Sequence, residues 1–119
     1  MGVALVIHPE GDIIEVNLKP GVNHLALMRE HLDCRLVDVV ALTDRLDMWI
    51  DDEGLYNHPV NPLATVLARH YGFVWQPYHG PVMLCSVDRE GNSIDLDVDQ
   101  TRALLTRLLD AVDSMGGAR

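Results

Sequence analysis

The sequence predicts an α+β domain in which a mostly antiparallel sheet carries about three helices. Short runs of alternating apolar and polar residues come in pairs separated by turn residues, as in β-hairpins. After each pair, apolar residues recur at every third or fourth position, which is the period of an amphipathic helix. We therefore expect the order ββα-ββα-ββα, with the helices on one face of the sheet.

The first unit is predicted to be a hairpin followed by a helix. Runs rich in β-formers at residues 3–8 and 13–18 flank the turn sequence P-E-G-D, and Lys19-Pro20-Gly21 closes the hairpin. Asn23 is placed to cap the helix, because its side chain accepts hydrogen bonds from the first free amides. The apolar stripe of this helix contains Leu25, Met28 and Leu32.

The second unit begins with residues 35–42, whose apolar residues are interrupted by one charge, Asp38, and which we predict to be a central strand. In the next strand, residues 46–50, alternation predicts that Trp49 lies on the outer face beside two aspartates, where a helix, another subunit or a partner must cover it. An acidic turn follows, with Gly54 expected at positive φ. Asn61-Pro62 predicts the cap and first residue of a helix that ends near Tyr71, with Gly72 as its left-handed cap.

The third unit starts after residues 73–79, an expected ordered loop because prolines and glycine interrupt any strand there. Strands are predicted at residues 82–87 and 93–96. Asp97 and Gln100 have the spacing of a capping box. The final helix is expected to place Val98, Leu105, Leu108, Leu109 and Val112 on one face. Residues 1–114 form a single predicted domain and residues 115–119 a flexible tail.

Composition restricts the classes of function. A chain of 119 residues with a formal charge of −9 and no concentrated basic patch disfavours direct binding to nucleic acid and suits a protein partner with a basic surface. Acidity that serves only solubility is the alternative interpretation. No apolar run reaches the roughly 18 residues of a membrane span, so we expect a cytoplasmic protein without membrane contact. Cys34 and Cys85 are expected to be small buried hydrophobic residues.

The sequence offers no assembled catalytic or metal-binding motif, so we expect no catalytic residues, metal or cofactor and lean against an enzyme. Adjacent carboxylates on an exposed turn lack the separated pKa values that general acid–base catalysis requires. No two histidines have the spacing of a helical zinc site, and His58 is the one that lies near the acidic turn in sequence. Neither cysteine has an evident base beside it.

A partner-binding surface is the remaining hypothesis. Aromatic side chains provide large contact areas at small entropic cost, and several lie beside the acidic turn. The predicted partner-binding residues are Trp49, Asp51, Asp52, Glu53, Tyr56, Asn57, Tyr78 and His79. The alternative is a small-molecule site for a nucleotide-like ligand, with the loop from Trp75 to Gly80 as its lid. Homodimer formation through a strand edge is left open.

Several short motifs carry a family resemblance. The segments L-D-M-W-I, D-D-E-G, N-P-L-A-T, G-P-V-M-L-C and D-x-D-Q-T resemble a family of small uncharacterised domains from actinobacterial plasmids and phages. The more specific part is N-P-x-A-T followed by G-P-V, and the resemblance covers residues 32–111 without the opening hairpin. It implies an accessory protein of a mobile element that acts in the host cytoplasm, with a regulatory or counter-defence role, and it supplies no catalytic residues.

Overall fold

A computed structural model of the chain describes residues 2–18 and 24–116. The described residues form a sheet and packed helices, which confirms the α+β prediction. The elements are β1 (Ala4–Ile7), β2 (Ile13–Val16), α1 (His24–Leu32), β3 (Val37–Thr43), β4 (Leu46–Asp51), α2 (Gly54–Asn57), α3 (Pro62–His70), β5 (Val82–Val87), β6 (Ser93–Ile94) and α4 (Val98–Gly116). The predicted acidic turn is present at Asp52 and Glu53, and the short helix α2 follows it, so the second unit contains two helices rather than one.

The strands form one antiparallel sheet in the order β2-β1-β5-β4-β3, and β6 pairs with the end of β5. The prediction that the β3 region is a central strand was wrong, since β3 lies at an edge. The central strands are β1 and β5, whose residues are buried on both faces with only Val87 partly exposed. Uninterrupted apolar runs are typical of strands covered on both sides, whereas Asp38 in β3 is exposed.

Helices cover both faces of the sheet, so the expectation that all of them lie on one face was also wrong. Helices α3 and α4 pack on one face, over a core that includes Leu5, Met48 and Leu84. Helix α1 packs on the other face, where Met28 and Leu32 contact the cluster that includes Val6 and Met83. In α1 the predicted stripe is therefore only partly buried, because Leu25 remains 44% exposed.

Helix α4 buries a different face from the predicted one. Its buried side chains are Leu104, Leu108 and Ala111. Of the five predicted core positions, only Leu108 is fully buried, Leu105 is partly buried, and the others remain exposed. The helix carries two adjacent apolar stripes, and periodicity alone does not tell which of them meets the sheet.

Local signals in the sequence were more reliable than long-range ones. Gly72 adopts a φ of 96° after α3, as expected for a left-handed cap. Asp97 and Gln100 form the predicted capping box, with each side chain accepting from the backbone amide of the other at 2.7–2.9 Å. The strand Val82–Val87 has its predicted bounds, whereas β6 is shorter and Leu96 instead forms an isolated bridge with Val3.

Some predictions fall on other parts of the chain. Lys19-Pro20-Gly21, Asn23 and residues 117–119 lie outside the described residues, whereas residues 115 and 116 belong to α4. Within the described ranges, none of the helices combines the length and apolar character needed to cross a bilayer.

Candidate functional site

A cleft of about 320 Å³ opens at the end of β4, between α2 and the loop that precedes β5. It brings together the acidic segment after β4 and the loop at residues 73–79, which we call the aromatic loop. The lining residues are Ile50, Asp51, Asp52, Gly54, Leu55, Gln76, Pro77, Tyr78 and His79.

Asn61 positions one wall of the cleft. Its side-chain oxygen accepts from the Ala64 amide at 3.1 Å, which caps α3 as predicted. The side-chain amide of Asn61 donates to the carbonyl oxygens of Ile7, at 3.0 Å, and Gly80, at 2.9 Å. Its backbone N–H donates to the Tyr78 carbonyl at 2.8 Å. One fully buried residue therefore connects β1, α3 and the aromatic loop.

Thr65 holds the same loop from the first turn of α3. Its hydroxyl donates to the Asn61 carbonyl and accepts from the Tyr78 amide, both at 2.9 Å. The loop has few regular backbone bonds of its own, so these side-chain bonds fix its path. Asn61 and Thr65 of the N-P-L-A-T segment thus have structural roles, in which they hold the loop against the end of the sheet.

The Asp51 carboxylate is buried beneath the cleft rather than exposed on a turn. It accepts from the Glu53 amide at 2.8 Å and the Asn57 side-chain amide at 3.3 Å. Nε2 of His58 lies 3.3 Å from both Asp51 Oδ2 and the Asp33 carbonyl oxygen. Because both neighbours are acceptors, Nε2 is the nitrogen that carries the proton. Asp51 therefore organises α2 and the residues that follow it.

Two glycines allow close approach around this cluster. Gly54 does not adopt the positive φ expected of it. Instead it begins α2, and a Cβ there would lie 2.8 Å from the His79 carbonyl oxygen. Gly80 does adopt a φ of 81°, and its Cβ would lie 2.8 Å from the His58 ring. His79 in turn donates from Nδ1 to the His58 carbonyl at 3.0 Å. The base of the cleft is therefore tightly packed and has little room for larger side chains.

The predicted partner-binding residues fall into three groups. Asp52, Tyr56 and Asn57 are exposed, and Tyr56 is the most exposed of these, at 85%. Glu53 and His79 are partly buried, and Glu53 accepts from Arg35 at 2.9 Å. The remaining three are not on the predicted surface. Asp51 and Tyr78 are buried, and Trp49 packs beside α1, away from the cleft.

Trp49 lies on the α1 face of the sheet, away from the cleft. It packs against the cluster around Met28 and lines a separate groove of about 930 Å³. Its indole N–H is buried without an oxygen or nitrogen acceptor among the described residues. Trp49 lies on the face opposite Met48, as alternation predicted, and it is α1 that covers this face rather than a partner.

The predicted sites left out Leu55, which lines the cleft, and Val74, whereas Trp75 was predicted as part of the lid of the alternative small-molecule site. Leu55 in α2 is 66% exposed, and Trp75 and Val74 in the aromatic loop are 69% and 60% exposed. A signal was available in the loop, since V-W-Q-P carries large apolar residues next to a proline that prevents strand formation. No comparable signal marked Leu55, because its exposure depends on how α2 packs against the loop.

Neither cysteine is an activated nucleophile. Burial raises the pKa of both cysteine thiols from 9.0 to about 11, which keeps them protonated and weakly nucleophilic near neutral pH. Among residues 2–18 and 24–116, no three His, Cys, Asp or Glu side chains are grouped to hold a metal ion. The Asp51 and Glu53 carboxylates are occupied by internal hydrogen bonds.

Comparison with protein families identifies one match. The family described as Domain of unknown function (DUF3846) matches residues 1–109. The chain belongs to this family. The DUF3846 match begins at residue 1, so it includes the opening hairpin that the motif resemblance left out. No curated protein and no solved structure matches the chain.

Proposed function

We propose that this DUF3846 domain is a non-enzymatic protein-binding module that recognises a basic partner at the rim of the cleft. We define the rim as Asp52 and Leu55, which line the cleft, together with the exposed residues that adjoin its lining in the chain, Tyr56 on α2 and Val74 and Trp75 on the aromatic loop. It contains three of the most exposed large apolar side chains on the domain, and this observation carries the proposal. Isolated exposed apolar residues are ordinary, but several around one concavity mark a binding surface.

The chemistry of the rim suits lysine or arginine side chains. Tyr56 and Trp75 offer aromatic faces to a cation, and Asp52 offers a carboxylate close to the same cleft. The net charge of −9 adds long-range attraction for a basic surface and repels nucleic acid. Aromatic anchors supply the affinity in this proposal, and the charge increases the rate of encounter.

We further propose that the protein is an accessory factor of a phage or plasmid and acts in the host cytoplasm in a regulatory or counter-defence role. The motif resemblance supports the mobile-element origin. Asp51, Asn61 and Thr65 form hydrogen bonds within the domain that hold the aromatic loop and α2 in place. This supports a role for them in positioning a binding surface.

The test is quantitative capture from host lysate, with bound proteins measured by mass spectrometry. We expect the double variant Tyr56→Ser/Trp75→Ser to lose a partner that the unmodified domain captures, and the bound amount to fall with rising salt. Leu25→Ser is the matched control, because Leu25 is also an exposed apolar residue but lies on α1, outside the lining of the cleft. Equal loss with the control, or a set of captured proteins that the double variant leaves unchanged, contradicts the proposal.

A small-molecule site is the second candidate, and the cleft volume of about 320 Å³ favours it. This value lies at the lower end of the roughly 300–1,000 Å³ typical of ligand pockets. A thermal-shift screen with nucleotides and related metabolites separates the two functions. A true ligand at 100 times its dissociation constant stabilises the fold by about 2.7 kcal/mol. Gly54→Ala, which narrows the contact between α2 and His79, is expected to reduce that shift.

A further inference from the structure

Helix α4 carries an exposed apolar stripe. Val98, Leu109 and Val112 are 55%, 64% and 45% exposed, and Leu105 between them is partly buried. With Arg102, these positions recur at alternating intervals of four and three residues, the spacing of helices that pack along one another. A groove of about 370 Å³ runs beside the stripe, bordered by Val3 and Glu15 of the first hairpin. The stripe therefore has the pattern and the adjacent space of a helix-packing surface.

The charges along the stripe are arranged to complement a second copy. Arg102 lies near its start and Asp113 near its end, both are exposed, and neither forms a salt bridge within the described residues. Because they are eleven residues apart, they lie on nearly the same side of the helix. In an antiparallel pair centred on position 107, Arg102 of each helix would lie beside Asp113 of the other. A parallel pair would instead place like charges together.

We propose that α4 mediates an antiparallel homodimer of this domain. In this dimer Leu105 of one copy packs against Leu109 of the second copy, and the two symmetric Arg102–Asp113 pairs fix the direction of the helices. The spacing of the stripe supports the same centre, because positions 102, 105, 109 and 112 are symmetric about position 107. This surface is separate from the cleft rim, so both can be occupied at once.

The dimer is expected to be reversible. Its contact is one helix wide, which places it among interfaces that bury less than about 1,200 Å². The net charge of −9 on each copy also opposes association. We therefore expect monomers at low micromolar concentration and dimers at higher concentration, measured by sedimentation velocity of the full chain.

Leu109→Glu tests the apolar contact. Because Leu109 is largely exposed in the monomer, the variant should fold normally, as shown by an unchanged circular dichroism spectrum and melting temperature. Its dimer dissociation constant should rise about tenfold or more. Leu55→Glu is the matched control, since it introduces the same charge at a comparably exposed leucine on α2 and should leave the dimer intact.

Charge reversal tests the direction of packing. Arg102→Asp and Asp113→Arg should each weaken self-association, because both symmetric pairs become repulsive. Mixing the two variants should restore a dimer, because each pair across that heterodimer is again between opposite charges. The proposal is overturned if the unmodified chain remains monomeric at all concentrations, if Leu109→Glu dimerises as well as the control, or if the mixture fails to associate.

Discussion

His58 Nε2 lies 3.3 Å from Oδ2 of Asp51, a carboxylate whose side chain is wholly buried. The pair joins the end of β4 to the segment after α2. The same nitrogen also contacts the carbonyl oxygen of Asp33, which follows α1. The cleft therefore rests on a polar cluster that draws on three separate segments. Buried polar groups of this kind reduce the stability of the fold little while their hydrogen bonds are complete, and reduce it strongly when one partner is removed.

Asp51→Ala should destabilise the domain by about 1–3 kcal/mol, because it removes the buried acceptor that the Glu53 amide and the side chains of Asn57 and His58 share. Urea denaturation of the variant and the unmodified chain measures this change. Asp52→Ala is the matched control, since Asp52 is exposed and its loss should alter the free energy of unfolding by no more than about 0.5 kcal/mol. Equal stability of the two variants would show that the cluster contributes nothing.

Gly54→Ala should destabilise the domain although alanine is the better helix former. The added Cβ would lie 2.8 Å from the backbone oxygen of His79, so α2 or the aromatic loop must shift. Such overpacking costs about 1–3 kcal/mol, which exceeds the gain of roughly 1 kcal/mol in helix propensity. Thermal unfolding checks the sign, with Leu55→Ala as the neutral neighbour. A raised melting temperature for Gly54→Ala would mean that α2 or the aromatic loop shifts to accept the Cβ without a loss of stability.

The sequence predicted those features that depend on a few neighbouring residues. Asn61 and Pro62 mark a helix start because the cap is a local hydrogen bond, and Gly72 marks its end because the backbone conformation is local. The capping box at Asp97 was found for the same reason. These interactions span three or four residues, so no knowledge of the tertiary fold is needed to recognise them.

The errors concern contacts between distant segments. Alternation in β4 correctly placed Trp49 opposite Met48, but it did not show that α1 covers Trp49 or that His58 covers Asp51. The continuous apolar run in β1 carried the missing information, because a strand buried on both faces requires helices on both sides of the sheet. The cleft itself joins α2 with the loop around Trp75, and this pairing follows from strand order rather than from any local pattern.

Asn61→Asp should be strongly destabilising even though aspartate is as good a helix cap as asparagine. The variant keeps the acceptor for Ala64 but loses both donors to the Ile7 and Gly80 carbonyls. It also places a buried carboxylate against two carbonyl oxygens. We expect a loss of about 2–4 kcal/mol in urea denaturation near neutral pH.

Acidification provides a check on that mechanism. When the introduced carboxyl group is protonated it can donate one hydrogen bond again, so the gap between Asn61→Asp and the unmodified chain should narrow at low pH. Asn61→Ala serves as the control, because it introduces no group that can be protonated. Its loss of unfolding free energy should therefore not become smaller at low pH. If the Asn61→Asp variant is as stable as the unmodified chain, only the hydrogen bond that caps α3 contributes to stability.

The Cys85 thiol should make stability depend on pH in the alkaline range. Burial in the sheet raises its pKa from 9.0 to about 11, an effect that hydrogen bonds from Ser93 and Trp49 only partly oppose. Below pH 9 the thiol is protonated in both folded and unfolded chains, so its full contribution is present. Between about pH 9 and about pH 11 only the unfolded chain releases the proton, which favours unfolding. Stability should therefore fall by about 2–3 kcal/mol over this interval on account of Cys85.

Cys85→Ala isolates this contribution from the tyrosines and other groups that titrate in the same range. The variant is less stable at about pH 8 because it loses buried volume, but its stability should fall less steeply toward about pH 11. Urea denaturation at intervals across this range, in reducing buffer, gives both slopes. Cys34→Ala is the comparison, because Cys34 is partly exposed and solvent weakens the effect of its raised pKa. Parallel slopes for Cys85→Ala and the unmodified chain would show that the thiolate is accommodated within the sheet.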